Sequence, residues 1–129
     1  MLKVLVMDDE ADTRIFLEDV LLAAGYEVVL ARDGAEGMLR YESEPTDLAL
    51  IDLFMPNREG LETIKELRKR APDFPIIAIS GDSLADCLLQ VARKIGANEI
   101  LQKPFSPDEL LASVKKCFRA VARKRHHRH

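Results

Sequence analysis

The sequence predicts an α/β fold, a doubly wound parallel sheet of five βα units with strand order 2-1-3-4-5, and three observations predict it. Five short apolar runs alternate with five segments of helical period. The runs are rich in Val, Ile and Leu instead of alternating with polar residues, as strands covered on both faces are. A length of 129 residues suits one domain. At that size, right-handed crossovers leave 2-1-3-4-5 as the common arrangement.

Each element has its own signal. Residues 2–7 form the first apolar run. The first helix places Phe16, Val20 and Ala23 on one face and stops at Gly25, where glycine accepts a left-handed cap. Residues 27–30 are the second strand. Asp33 then caps the second helix, with Glu36 three residues on and Met38 and Leu39 facing inward. The third unit pairs residues 47–51 with a helix marked by Leu61, Ile64 and Leu67. The fourth pairs residues 76–80 with Leu84, Leu88, Val91 and Ile95, closed by Gly96. After the fifth strand at 99–102, Ser106-Pro107-Asp108-Glu109 gives a capping serine, a first-turn proline and a glutamate at the third position. Leu110, Leu111, Val114, Phe118 and Val121 form the stripe that follows.

Composition narrows the function classes. With 47% hydrophobic and 32% charged residues the chain has the balance of a folded globular domain, not of a disordered segment. No apolar run is long enough to span a bilayer, and the N-terminus opens on a strand pattern without the three regions of a signal peptide. A cytoplasmic protein with no membrane partner is the expectation. Cys87 and Cys117 fall on apolar helix faces without metal or redox spacing, and read as core thiols. The net charge of −3 conceals an asymmetry: residues 1–118 carry 14 basic and 22 acidic residues, hence −8, and all other basic residues lie beyond. An acidic body argues against nucleic-acid binding by that body. The domain is expected to end at residue 121, with 122–129 a basic tail, disordered or foreign to the fold.

The chemistry sits at strand ends. Asp52 ends the third apolar run, and Asp8-Asp9 follow the first. In the predicted order these strands are neighbours, so three carboxylates share the C-terminal rim where open α/β sheets place their sites. Ser80 and Lys103 end strands four and five at the same edge. Three close carboxylates repel, and must protonate, spread or recruit a cation. Oxygen ligation with room for water suits Mg²⁺. An Asp carboxylate is also a competent nucleophile for phosphoryl transfer, which asks mainly for positioning and charge neutralisation. Asp52, alone on the central strand, is the favoured nucleophile; the adjacent pair Asp8-Asp9 is better suited to a metal.

Asp8-Asp9 after strand one, Asp52 with Met55-Pro56 and Gly60, Ser80-Gly81 after strand four, and Lys103-Pro104-Phe105 after strand five together resemble the receiver domain of two-component response regulators. The resemblance covers residues 2 to about 120 and implies the flavodoxin-like doubly wound parallel sheet. It implies that a sensor histidine kinase or phosphotransfer protein donates a phosphoryl group to Asp52. Mg²⁺ would be held by Asp9, by Asp8 partly through water, by Asp52 and by the backbone carbonyl of Phe54. Lys103 would pair with the phosphorylated carboxylate, and Ser80 would swing inward to bond the phosphoryl group. A cis peptide before Pro104 is also implied. The signal would be read on helix four, strand five and helix five, by a downstream protein, a fused output domain or a second copy.

Two departures qualify this expectation. Where the family usually carries Tyr or Phe, three residues before the lysine, this chain has Ile100, expected to pack on the last helix and to give a different or weaker output switch. Phe54, two residues after Asp52, and Asp82 are expected to slow hydrolysis of the acyl phosphate. The rival readings are a degenerate receiver working by unphosphorylated contacts and a haloacid dehalogenase-type phosphohydrolase with Asp8 as nucleophile. A flavodoxin-like cofactor binder lacks its glycine-rich phosphate loop.

Overall fold

The computed structural model describes residues 2–54, 59–81 and 85–127. Along the chain run β1 (Lys3–Met7), α1 (Ala11–Ala23), β2 (Glu27–Ala31), α2 (Gly34–Ser43), β3 (Leu48–Asp52), α3 (Glu59–Arg70), β4 (Ile76–Ser80), α4 (Ala85–Ile95), β5 (Glu99–Gln102) and α5 (Pro107–His127). All pairings are parallel and the order is β2-β1-β3-β4-β5, as expected from the alternation of elements.

Strand alternation divides the core in two. Leu5, Met7, Ala49, Ile51, Ile76 and Ala78 face Met38, Ile64, Leu67, Leu89 and Ala92 of α2, α3 and α4. Val4, Val6, Leu48, Leu50, Ile77 and Ile79 face Leu17 and Leu21 of α1 and Leu110, Val114 and Cys117 of α5. Every residue of β3 and β4 is buried, which is why these strands read as unbroken apolar runs.

Helix ends follow the local chemistry. Asp33 accepts from the Glu36 N–H at 2.8 Å. In α5 the Glu109 N–H donates to Ser106 Oγ and the Ser106 N–H to Glu109 Oε1, both at 3.1 Å, a complete capping box. Gly25 ends α1 at φ +93°. The chain runs on past residue 121 in α5 to His127.

Several side chains expected to face inward turn outward. Ala23, Leu39, Val91 and Cys87 are exposed, because α1 centres its buried stripe on Leu17 and Leu21 and α4 on Leu89 and Ala92. Leu84 lies outside the described residues. At the far end of the sheet from the carboxylates, Arg68 ties α3 to α4: its guanidinium donates to the carbonyls of Ala71, Pro72, Phe74 and Gly96 and to Asn98 Oδ1. Burial lowers its pKa, and Asp73 opposes the shift.

Candidate functional site

The pleat decides which side chains meet. Asp8 continues the face of Val4 and Val6, Asp52 that of Leu48 and Leu50, and Lys103 that of Leu101, so all three emerge on the α1 and α5 side of the sheet, the first two from the adjacent strands β1 and β3. Lys103 Nζ lies 3.1 Å from Asp52 Oδ2 and 3.4 Å from Asp8 Oδ2. Carboxylate oxygens of Asp8, Asp9 and Asp52 all lie within 4.8 Å of one another. Asp8 and Asp52 are almost wholly buried, at 1% and 2% exposure, whereas Asp9 is exposed.

Backbone contacts hold this rim together. The Asp8 N–H donates to Ala31 O, the Leu53 N–H to Ile79 O, and the Lys103 N–H to Ser80 O at 2.9 Å. The Phe54 N–H donates to Asp52 Oδ1 at 2.9 Å, occupying one carboxylate oxygen while Lys103 approaches the other. Two glycines are required by proximity. A Cβ at Gly60 would stand 2.5 Å from Asp52 O, and one at Gly81 would stand 2.8 Å from Lys103 Cβ. Lys103–Pro104 is cis, as the resemblance implied, and Phe105 then packs against Phe16 of α1 with centroids 6.2 Å apart.

Electrostatics mark Asp52 as the strained acid. Burial, then the charge of Asp8, push its pKa up to about 6, against the lowering effects of the Phe54 N–H and Lys103. Lys103 is itself perturbed: burial would lower its pKa, but the nearby Asp52 and Asp8 outweigh it and hold the ammonium above its ordinary value. Among the described residues, Lys103 is the cation in contact with the two buried carboxylates, and a third carboxylate stands at the surface. Such an excess of hard oxygen donors fits a small divalent ion, and Mg²⁺ in particular, which keeps part of its water shell.

Ser80 is on the same rim but not in the same cluster. Its strand position puts it on the α4 side, beside the pair Ala78 and Ile100. Ser80 is fully buried and its Oγ has no hydrogen-bond partner among the described residues. An unbonded buried hydroxyl costs about 1–3 kcal/mol. Ile100 packs on the α4 side of the sheet, not on the last helix as expected from the sequence. The period of two explains the correction: Glu99 pairs with Lys116 of α5 at 3.5 Å and Leu101 packs on that same side, so Ile100 must point the other way. Phe54 is 63% exposed. Met55, Pro56 and Asp82 lie outside the described residues.

Sequence reasoning passed over Arg14. Its Nη1 donates to the backbone carbonyl of Asp8 at 2.7 Å. An arginine one turn into a helix has no spacing signature that separates it from a solvated one.

Among the described residues no helix is long and apolar enough to cross a membrane. Comparison with known proteins gives one consistent answer. The family described as response regulator receiver domain matches residues 4–115. The chain is 37% identical over 118 residues to the alkaline phosphatase synthesis transcriptional regulatory protein PhoP of Bacillus subtilis, covering 91% of this chain and 48% of that protein. It thus spans about half the length of the curated relatives it matches. Among solved structures, a CheY-like receiver domain protein from Methanospirillum hungatei superposes with a TM-score of 0.89 at 27% identity, over 96% of this chain and 98% of that one. The receiver domain of the Francisella response regulator 1452 does so with a TM-score of 0.84 at 30% identity, over 94% and 99%.

Proposed function

The chain belongs to the response regulator receiver domain family, and we propose that Asp52 is its phosphoacceptor, loaded from the phosphohistidine of a sensor histidine kinase or phosphotransfer protein. The observation that carries this reading is the buried Asp52 carboxylate at the end of β3, with Lys103 Nζ 3.1 Å away and Asp8 and Asp9 within 4.8 Å.

An Asp52 oxygen attacks phosphorus as the phosphorus–nitrogen bond of the donor breaks, and the bonding electron pair returns to the imidazole. The product is an acyl phosphate. Asp8, Asp9 and Asp52, with the Phe54 carbonyl, are the groups that would hold Mg²⁺. When bound, the ion neutralises the carboxylates and the charge on the transferring phosphoryl oxygens. Lys103 supplies a further positive charge that stays with the phosphorylated side chain. Its backbone bond to Ser80 O and its packing against Gly81 fix where that charge stands.

Ser80 reads the modification. Its buried, unpartnered Oγ gains a hydrogen bond by turning toward a phosphoryl oxygen, and that gain favours the turned state. Movement at Ser80 is passed to the face made by α4, β5 and α5, where a downstream protein, a fused output domain or a second copy binds. With Ile100 at the inward position, the side chain that refills the space behind Ser80 is aliphatic and already half-buried. The change on that face is correspondingly smaller than an aromatic ring would produce. The exposed Phe54 lies beside the acyl phosphate and slows its attack by water.

The test uses acetyl phosphate as donor. Wild type gains one phosphoryl mass in Mg²⁺ and none in excess chelator, and Asp52→Asn gains none in either. Equal labelling of Asp52→Asn, or labelling independent of Mg²⁺, would refute the proposal.

A further inference from the structure

We propose that Arg14 is a positioning residue of this site: it fixes the peptide between Asp8 and Asp9 so that both carboxylates face Asp52, and thereby raises the affinity for a divalent cation. The inference rests on the reading of Asp8, Asp9 and Asp52 as the cation site. β1 ends at Met7, so the Asp8 carbonyl has left the strand ladder. It is met instead by Arg14 Nη1 at 2.7 Å, reaching back from α1.

The rest of Asp8 is tied as well. Its N–H donates to Ala31 O at 3.1 Å, Oδ1 accepts from the Glu10 N–H at 2.9 Å, and Oδ2 faces Lys103 at 3.4 Å. The Arg14 N–H in turn donates to Glu10 O at 3.0 Å, so the turn and the first helical residues close on one another. The carbonyl that Arg14 holds belongs to the planar Asp8–Asp9 peptide, and its direction sets the plane from which Asp9 departs. Asp9 is exposed and depends on that plane for its aim. Arg14 is half-buried, so its contact is less open to competition from water.

The sign of the effect separates positioning from charge. A guanidinium near the site repels a divalent cation, so loss of charge alone would tighten binding. Loss of positioning weakens it, by about tenfold where an outer group orients metal ligands.

Mg²⁺ affinity is measured by isothermal titration calorimetry on wild type, Arg14→Gln and Arg14→Lys, with metal-free circular dichroism melts as the fold control. Arg14→Gln, with a shorter and uncharged side chain, is expected to raise the Mg²⁺ dissociation constant about tenfold, and Arg14→Lys, whose longer side chain still carries N–H donors toward the Asp8 carbonyl, to fall between. The Glu10 amide should also exchange faster in Arg14→Gln. An unchanged or tighter dissociation constant in Arg14→Gln overturns the inference while leaving the cation site standing. A wild type that binds no Mg²⁺ overturns the cation site itself, and the inference with it. If Arg14→Gln does not fold, Arg14→Lys decides: weaker binding than wild type supports the inference, and equal or tighter binding overturns it.

Discussion

Replacing Asp52 by Asn should make the metal-free protein more stable at neutral pH while abolishing its phosphorylation. The reason is the energy stored in the acid cluster. Burial and Asp8 raise the Asp52 pKa from 3.8 to about 6. Between those two pH values the folded protein holds a proton that the unfolded chain has released, so this group makes stability fall as pH rises. At ~1.36 kcal/mol per pH unit, the penalty reaches about 3 kcal/mol at pH 7 and is under about 1 kcal/mol at pH 4. Asn has the size of the acid, carries no charge and can still accept from the Phe54 N–H. The gain at pH 7 should therefore be about 2–3 kcal/mol, or roughly 10 °C in Tm for a chain of this length. Urea unfolding in chelator at pH 7 and pH 4, for wild type and variant, measures it. Mg²⁺ should narrow the gap by stabilising only wild type. A variant no more stable at pH 7, or one whose advantage persists at pH 4, would show that Asp52 is not held as an unfavourable charge.

Other consequences are independent of that one. Ser106→Ala removes one half of the α5 capping box and should cost about 1 kcal/mol in urea unfolding, with the phosphorylation rate unchanged. Gly81→Ala would place a Cβ 2.8 Å from Lys103 Cβ. The displaced Lys103 should slow labelling by acetyl phosphate roughly ten- to hundredfold, and because rotation of the lysine cannot relieve a contact at its Cβ, stability should fall by about 1–3 kcal/mol. The Cys117 thiol is buried and desolvation pushes its pKa up to about 12, whereas Cys87 is exposed. Alkylation at neutral pH followed by mass spectrometry should therefore give one adduct on the native protein and two in denaturant.

The candidate site was legible in the sequence because its residues lie at the ends of strands. Asp8, Asp52, Ser80 and Lys103 each follow an apolar run, and strand order then brings Asp8, Asp52 and Lys103 together. The α5 cap was legible because its signal is local and reciprocal. Helix faces were less so. Ala23, Leu39 and Val91 satisfy a helical period as well as their neighbours do, and only the sheet beneath decides which stripe turns inward. Ile100 faces α4 and not α5, and a four-residue strand has too few positions to reveal that parity without the Glu99 to Lys116 pair. Arg14 and Arg68 act on carbonyls, and contacts to backbone leave no pattern in side-chain types.

The central claim is that Asp52 becomes the acyl phosphate. Borohydride reduces an acyl phosphate of aspartate to homoserine, which peptide mass spectrometry can place on a single residue. After acetyl phosphate and Mg²⁺, homoserine is predicted at position 52 alone. Homoserine at Asp8 or Asp9, or none in protein that has gained phosphoryl mass, would contradict the assignment.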